Sequence, residues 1–165
     1  MTALNLGRYT AEYDKDFVVF LIGMRINRWL RPDLWFPVAM AMPKMMKELE
    51  GSKGLGYLGA EAAFGNPTIQ LMYWESAEAL IDYARSQDHQ HLPAWVDFKR
   101  RTGKTDAVGV WHETYRVRPG TYESVYVNMP SYGLGKVGKL VPATGHRMRA
   151  ADRLKVTPKL AAPEE

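Results

Sequence analysis

The run Phe17 to Ile26 (FVVFLIGMRI) constrains the fold most, because it is dense in β-branched and aromatic side chains and too short for a capped buried helix. It predicts a central strand. After Arg31-Pro32-Asp33, the apolar residues Val38, Met42, Met45, Met46 and Leu49 recur at helical spacing, with Gly51 where a left-handed C-cap is wanted. Pro37 suits a first turn, whereas Pro43 removes a backbone donor, so the helix is expected either to start later or to kink there. Two extended runs, Leu55 to Ala63 and Thr68 to Glu75, flank the turn residues Phe64-Gly65-Asn66-Pro67 and predict a hairpin. Ser76 can cap a second helix with Glu78 in its first turn and an apolar stripe of Leu80, Ile81, Tyr83 and Ala84. A short helix is expected from about Leu92 to Arg101, begun by Asp88 and stopped at Gly103, followed by a strand at Ala107 to Val117 and an extended piece at Tyr122 to Met129.

The order βαββαβ with right-handed crossovers is an α+β, ferredoxin-like arrangement, an antiparallel sheet with its helices on one face. The other face then needs cover, and a second copy supplies it by symmetry, giving a homodimer built as a dimeric α/β barrel. The expected domain is 1–145, followed by a basic C-terminal arm or disordered tail at 146–165. The chain has no cysteine, which removes disulfides and thiolate chemistry. A net charge of +4 is assigned to a solvated face and not to a nucleic-acid site. The longest apolar run, near Phe17 to Met24, is far short of the roughly 20 residues of a bilayer span, and no signal-peptide pattern opens the chain, so no membrane partner and a cytoplasmic location are expected.

Three stretches carry a family resemblance: MYWESAEALIDYARSQDHQHLPAW, VGVWHETY and YVNMP. Over roughly Asp16 to Gly145 the chain resembles the dimeric α/β-barrel superfamily of antibiotic-biosynthesis monooxygenases, and within it the branch of short bacterial and fungal monooxygenase-like proteins, many of unknown function. The Trp74 to Ser76 passage supports the fold; the WHETY and YVNMP pieces support the branch. The resemblance implies several chemistries, since the same barrel hosts cofactor-free oxygenases, haem degraders and haem-containing dehydratases.

In a cofactor-free oxygenase the substrate itself, as a phenolate or enolate, passes an electron to dioxygen, so the site needs a base and donors for the anion. His112 stands mid-strand where polar side chains are discouraged and is the candidate base. Arg25 and Asn27 alternate with Leu21 and Gly23 on one face and are the candidate anion holders. The plainer alternatives are a histidine in a structural network, an ion pair of Arg25 with Glu61 or Glu75, and a strand-end turn role for Asn27. Trp74, Tyr83, Trp95 and Trp111 are the candidate substrate pocket, with a packed core as their alternative. Met40, Met42, Met45 and Met46 are assigned to a soft core stripe in preference to an adaptable ligand surface.

The leading expectation is therefore a cofactor-independent monooxygenase-like enzyme of secondary metabolism, acting on a small apolar or aromatic substrate. One alternative is a haem-binding protein, dehydratase-like or a haem carrier, with His91 or His112 as axial ligand. Tyr83 stands where the resemblance would place the Trp of haem degraders, which speaks against that activity. Another alternative is a non-catalytic dimeric binding module. His89 and His91 form an i, i+2 pair without a third ligand, so no metal is expected. The segment GLGKVGK lacks the spacing and preceding strand of a phosphate loop.

Overall fold

A computed structural model of the chain describes residues 3–86, 88, 96–100 and 105–155. They fall into two compact units, residues 17–116 and residues 1–16 with 117–165, where the sequence predicted one domain over 1–145.

The larger unit has the predicted order. Strand β2 (Phe17–Ile26), helix α1 (Pro32–Gly51), strands β3 (Tyr57–Ala63) and β4 (Ile69–Trp74), helix α2 (Ala77–Arg85) and strand β5 (Val108–Val117) follow in sequence, preceded by β1 (Asn5–Glu12) of the other unit. The sheet order is β3-β4-β2-β5, with β4 antiparallel to both β2 and β3, which is the ferredoxin-like topology. Even-numbered residues of β2 face the helices: Val18 and the β4 residues Met72 and Trp74 form a core with Leu49 of α1 and Leu80 and Tyr83 of α2. Leu49 and Trp74 are at most 2% exposed, so each side chain contributes about 2 to 3 kcal/mol of burial at the upper bound of such bookkeeping.

Local chemistry explains the element ends. The Ser76 hydroxyl accepts from the Ala79 amide at 3.1 Å and caps α2 as predicted. Asn66, at the hairpin tip, accepts from the Ile26 amide at 2.8 Å and donates to the Ile26 carbonyl at 3.0 Å, clamping the turn to β2. Three local expectations are corrected. Gly51 is the last helical residue and not a left-handed cap, a conformation taken by Gly54 and Gly56 instead. Helix α1 starts at Pro32 and contains both Pro37 and Pro43, so of the two outcomes expected at Pro43, a later start or a kink, the later start is excluded. Ile81 is 44% exposed, so the buried stripe of α2 narrows to Leu80 and Tyr83. The helix expected from Leu92 to Arg101 lies partly outside the described residues; 96–100 are helical.

The smaller unit is a three-stranded antiparallel sheet, β6-β1-β7, made from β1, β6 (Tyr126–Met129) and β7 (Lys139–Pro142), with the short helices α3 (Leu134–Val137) and α4 (Ala150–Arg153). The sequence did not predict β1. Its residues NLGRYTAE carry no apolar run, and Gly7 at φ +97° breaks the register between Asn5 and Arg8. Residues 146–155, expected as an arm or tail, pack within this unit. The Arg153 side chain, 7% exposed, donates to Glu123 and to the carbonyls of Arg147 and Met148, while Arg147 pairs with Glu12 at 2.5 Å.

Candidate functional site

The larger unit holds a cavity of about 510 Å³ between α1 and the helix-facing side of its sheet. Its roof is Val38, Ala39, Met42, Met45 and Met46 of α1; its floor is Ile22 and Met24 of β2, Val110 of β5, Gln70 of β4 and the alanines of β3. Small side chains make the space. Ala39 and Ala41 above, and Ala60 and Ala62 below, stand where larger residues would close helix onto sheet. Pro43, also in the roof, withholds the helical donor from the carbonyl of Ala39. Phe64, at the hairpin tip and 94% exposed, borders the opening. Volume and apolar lining are those of a small-molecule site.

Four polar residues border this space: Glu50, Glu61, Thr68 and Gln70, of which Glu61 shares the strand parity of Leu71 and turns its side chain to the opposite sheet face. The Thr68 hydroxyl is occupied, accepting from the Met24 amide at 3.0 Å and donating to the Met24 carbonyl at 3.3 Å. Burial, followed by the charges of Glu50 and Glu61, pushes the Tyr57 phenol up to about 12. Nearby, Tyr83 donates to Glu48 at 2.9 Å, and burial together with that bond raises its pKa. No lysine or arginine is among the described lining residues.

The structure separates the predicted catalytic set. Arg25 and Asn27 are exposed, on the odd-numbered face of β2; a Cβ placed on Gly109 would lie 3.9 Å from the Arg25 Cβ and 3.8 Å from the Asn27 amide nitrogen. His112, three residues beyond Gly109, therefore points to the opposite face of β5, where its ring meets Phe20 at 5.7 Å. Arg116, of the same parity, reaches Glu78 of α2 on that side. His112 is thus on the cavity's face, two residues from the lining Val110, but exposed and not itself lining the cavity. Arg25 and Asn27 cannot hold an anion that His112 ionises. Asn27 instead donates to the Asp106 carbonyl at 2.8 Å, closing the strand end.

The predicted pocket aromatics are corrected as well. Trp74, 0% exposed, packs on Tyr57 and Tyr83 with centroids at 5.6 and 5.5 Å, and these rings are core and not cavity wall. Trp111 lies on the other sheet face, with its indole nitrogen over Gly23. His89, His91 and Trp95 lie outside the described residues. The methionines, assigned to core, do both jobs: Met42, Met45 and Met46 line the cavity, and Met46 also packs on the core. The sequence analysis missed Gln70 and Glu50. Gln70 carried a readable signal, because it shares strand parity with the core residues Met72 and Trp74.

No group of residues that could hold a metal ion occurs among the described residues. Nor does the described lining fit haem: it contains no histidine, and no described lining cation is present to meet the propionates. No helix among the described residues is long and apolar enough to cross a membrane.

A family described as monooxygenase af470-like matches residues 17–134. Monooxygenase af470 of Aspergillus fumigatus is 30% identical over 78 residues, 47% of this chain; the match spans only 27% of that relative. Among solved structures, the aldoxime dehydratase OxdRE in complex with butyraldoxime superposes with a TM-score of 0.65 at 12% identity, over 91% of this chain and 42% of that one. SnoaB, a cofactor-independent oxygenase from Streptomyces nogalater, gives a TM-score of 0.45 at 10% identity, over 62% of this chain and 94% of that one.

Proposed function

This chain belongs to the monooxygenase af470-like family, and from that premise we propose that its cavity binds a small, largely apolar molecule and oxygenates it without a bound cofactor. The observation that carries the proposal is the cavity of about 510 Å³ lined by methionine, alanine and aliphatic side chains under α1. The substrate supplies the electrons. An activated CH2 beside a carbonyl or phenol loses a proton, the resulting anion reduces dioxygen, and the CH2 becomes a carbonyl, with one oxygen kept in the product and the other released as water. The lining supplies a proton acceptor in the Glu50 carboxylate, which takes the role first given to His112. A homodimer remains part of the proposal: α1 and α2 cover one face of the sheet, and the face bearing Arg25 and Trp111 is where a second copy would pair.

Filling the cavity tests this. Ala62→Trp is expected to weaken binding of the neutral fluorescent probe N-phenyl-1-naphthylamine at least tenfold and to abolish oxygen uptake with enolisable ketones and phenols in metal-free, haem-free protein. Ala39→Leu, a smaller plug from the roof, should do the same in part. Unchanged probe binding in both folded variants would remove the cavity as the site, and an absence of oxygen uptake with every bound compound would remove the oxygenase step.

A further inference from the structure

Gln70 is an anomaly in its surroundings. Strand β4 reads Ile69-Gln70-Leu71-Met72-Tyr73-Trp74, and alternation puts Gln70 on the face of Met72 and Trp74, both in the core. Register fixes its neighbours: Ile22 on β2 and Ala62 on β3 stand directly beside it, and both line the cavity. The side chain is half-buried, and its amide makes no hydrogen bond to any described residue. Its amide is not among the buried unpartnered side-chain groups, which among the described residues are the Trp74 and Trp111 indole nitrogens, so it stays open to the cavity and can bond whatever enters, as a leucine could not.

The chemistry of the cavity narrows what that amide can meet. Thr68, the other neutral polar group, is occupied by Met24, which leaves Gln70 as the free neutral donor and acceptor. Of the charged lining residues, Glu61 sits on the strand parity of Leu71, facing away from Gln70, and Glu50, at the end of α1, is acidic; no described lining residue is a cation. An anionic ligand would therefore lose its hydration and gain only repulsion. An amide offers a carbonyl acceptor beside an N–H donor, which matches a ligand edge with adjacent donor and acceptor.

We propose that Gln70 is the specificity-determining residue of the cavity, selecting ligands with an apolar body and one neutral donor-acceptor edge, such as a carboxamide, an undissociated acid or an enol beside a carbonyl, over anions. This rests on the cavity being the binding site, and it means the substrate enters neutral and is ionised only inside.

The test uses three probes with one body, naphthalene-2-carboxamide, 2-naphthoate and 2-ethylnaphthalene, titrated at neutral pH. The carboxamide should bind at least tenfold more tightly than the naphthoate. Gln70→Leu should weaken the carboxamide about tenfold, the worth of one net hydrogen bond, and leave ethylnaphthalene unchanged or tighter. Its melting temperature should not fall below that of the parent, because the amide makes no hydrogen bond to any described residue. Gln70→Glu keeps the size and should further weaken the naphthoate. Equal loss of carboxamide and ethylnaphthalene in Gln70→Leu, or a lowered melting temperature with selectivity unchanged, would make Gln70 structural and overturn the assignment. If none of the three probes binds the parent protein, the cavity falls as a site and the assignment with it; if ethylnaphthalene binds and the edges are not distinguished, only the assignment to Gln70 falls.

Discussion

Replacing Gly23 by alanine should unfold the floor of the cavity, while the same change at Gly109, one strand away, should be tolerated. At Gly23 an added Cβ would come within 1.9 Å of the Thr68 carbonyl oxygen and 2.8 Å of the Trp111 indole nitrogen. The first contact is roughly 1.4 Å inside the ~3.3 Å of ordinary C···O contact, and it is made by backbone, which cannot rotate away. Relief requires β4 to leave β2 at this point. The bonds at stake are the Thr68 amide to the Met24 carbonyl at 2.8 Å and the two Thr68 hydroxyl bonds to Met24 at 3.0 and 3.3 Å. At about 1 kcal/mol net for each bond the expected loss is about 3 kcal/mol. At Gly109 the nearest atoms lie at 3.8 and 3.9 Å, an ordinary contact, so alanine there should be neutral or stabilise by up to about 1 kcal/mol through lost chain freedom in the unfolded state. Urea unfolding of both variants, followed by tryptophan fluorescence, reads the difference. A Gly23→Ala cost under about 1 kcal/mol, or equal costs at both sites, would refute the account of a backbone pressed onto a bare Cα.

Arg25→Ala and Asn27→Ala are expected to leave binding of N-phenyl-1-naphthylamine in the cavity unchanged, because both residues lie on the other sheet face; Asn27→Ala should cost about 1 kcal/mol of stability through its bond to Asp106, read by the same urea titration. Alkaline pH should weaken the core end of the larger unit. The folded-state phenols of Tyr57 and Tyr83 are raised, chiefly by burial, so their contribution is fully present below about pH 10 and is lost as pH climbs through the folded value, about 12 for Tyr57. Urea midpoints should fall above about pH 10 and fall less in the Tyr57→Phe/Tyr83→Phe double variant; an identical pH dependence would show that these phenols do not drive it.

Pattern made the larger unit legible. The dense β-branched and aromatic run FVVFLIGMRI, the turn residues Phe64-Gly65-Asn66-Pro67 between two extended runs, the period near 3.6 from Val38 to Leu49, and the Ser76 cap are each written within a few residues, and local chemistry sufficed to place them. Strand β1 was hidden because its pairing with β6 and β7 is set by residues more than a hundred positions away, and its own sequence alternates polar side chains around a glycine. The packing of Arg153 against Glu123 was invisible for the same reason: a basic stretch looks like solvated charge until a carboxylate is brought to it.

The catalytic set failed on a narrower point. Arg25 and His112 are each polar residues in apolar strands, and that criterion has no sense of face across two strands. Parity within each strand is readable, but the register between β2 and β5 is not, and one residue of shift exchanges the faces. Within one strand no such ambiguity exists. In IQLMYW, Gln70 shares parity with Met72 and Trp74 whatever β4 pairs with, so a polar side chain on the parity of a core tryptophan marked the cavity before any register was known. The cavity itself could not be read in that way, since alanines in α1 and in β3 each look like ordinary filler. Only when helix and sheet face each other do Ala39 and Ala62 become missing volume, with the methionines between them left to pack against whatever molecule enters.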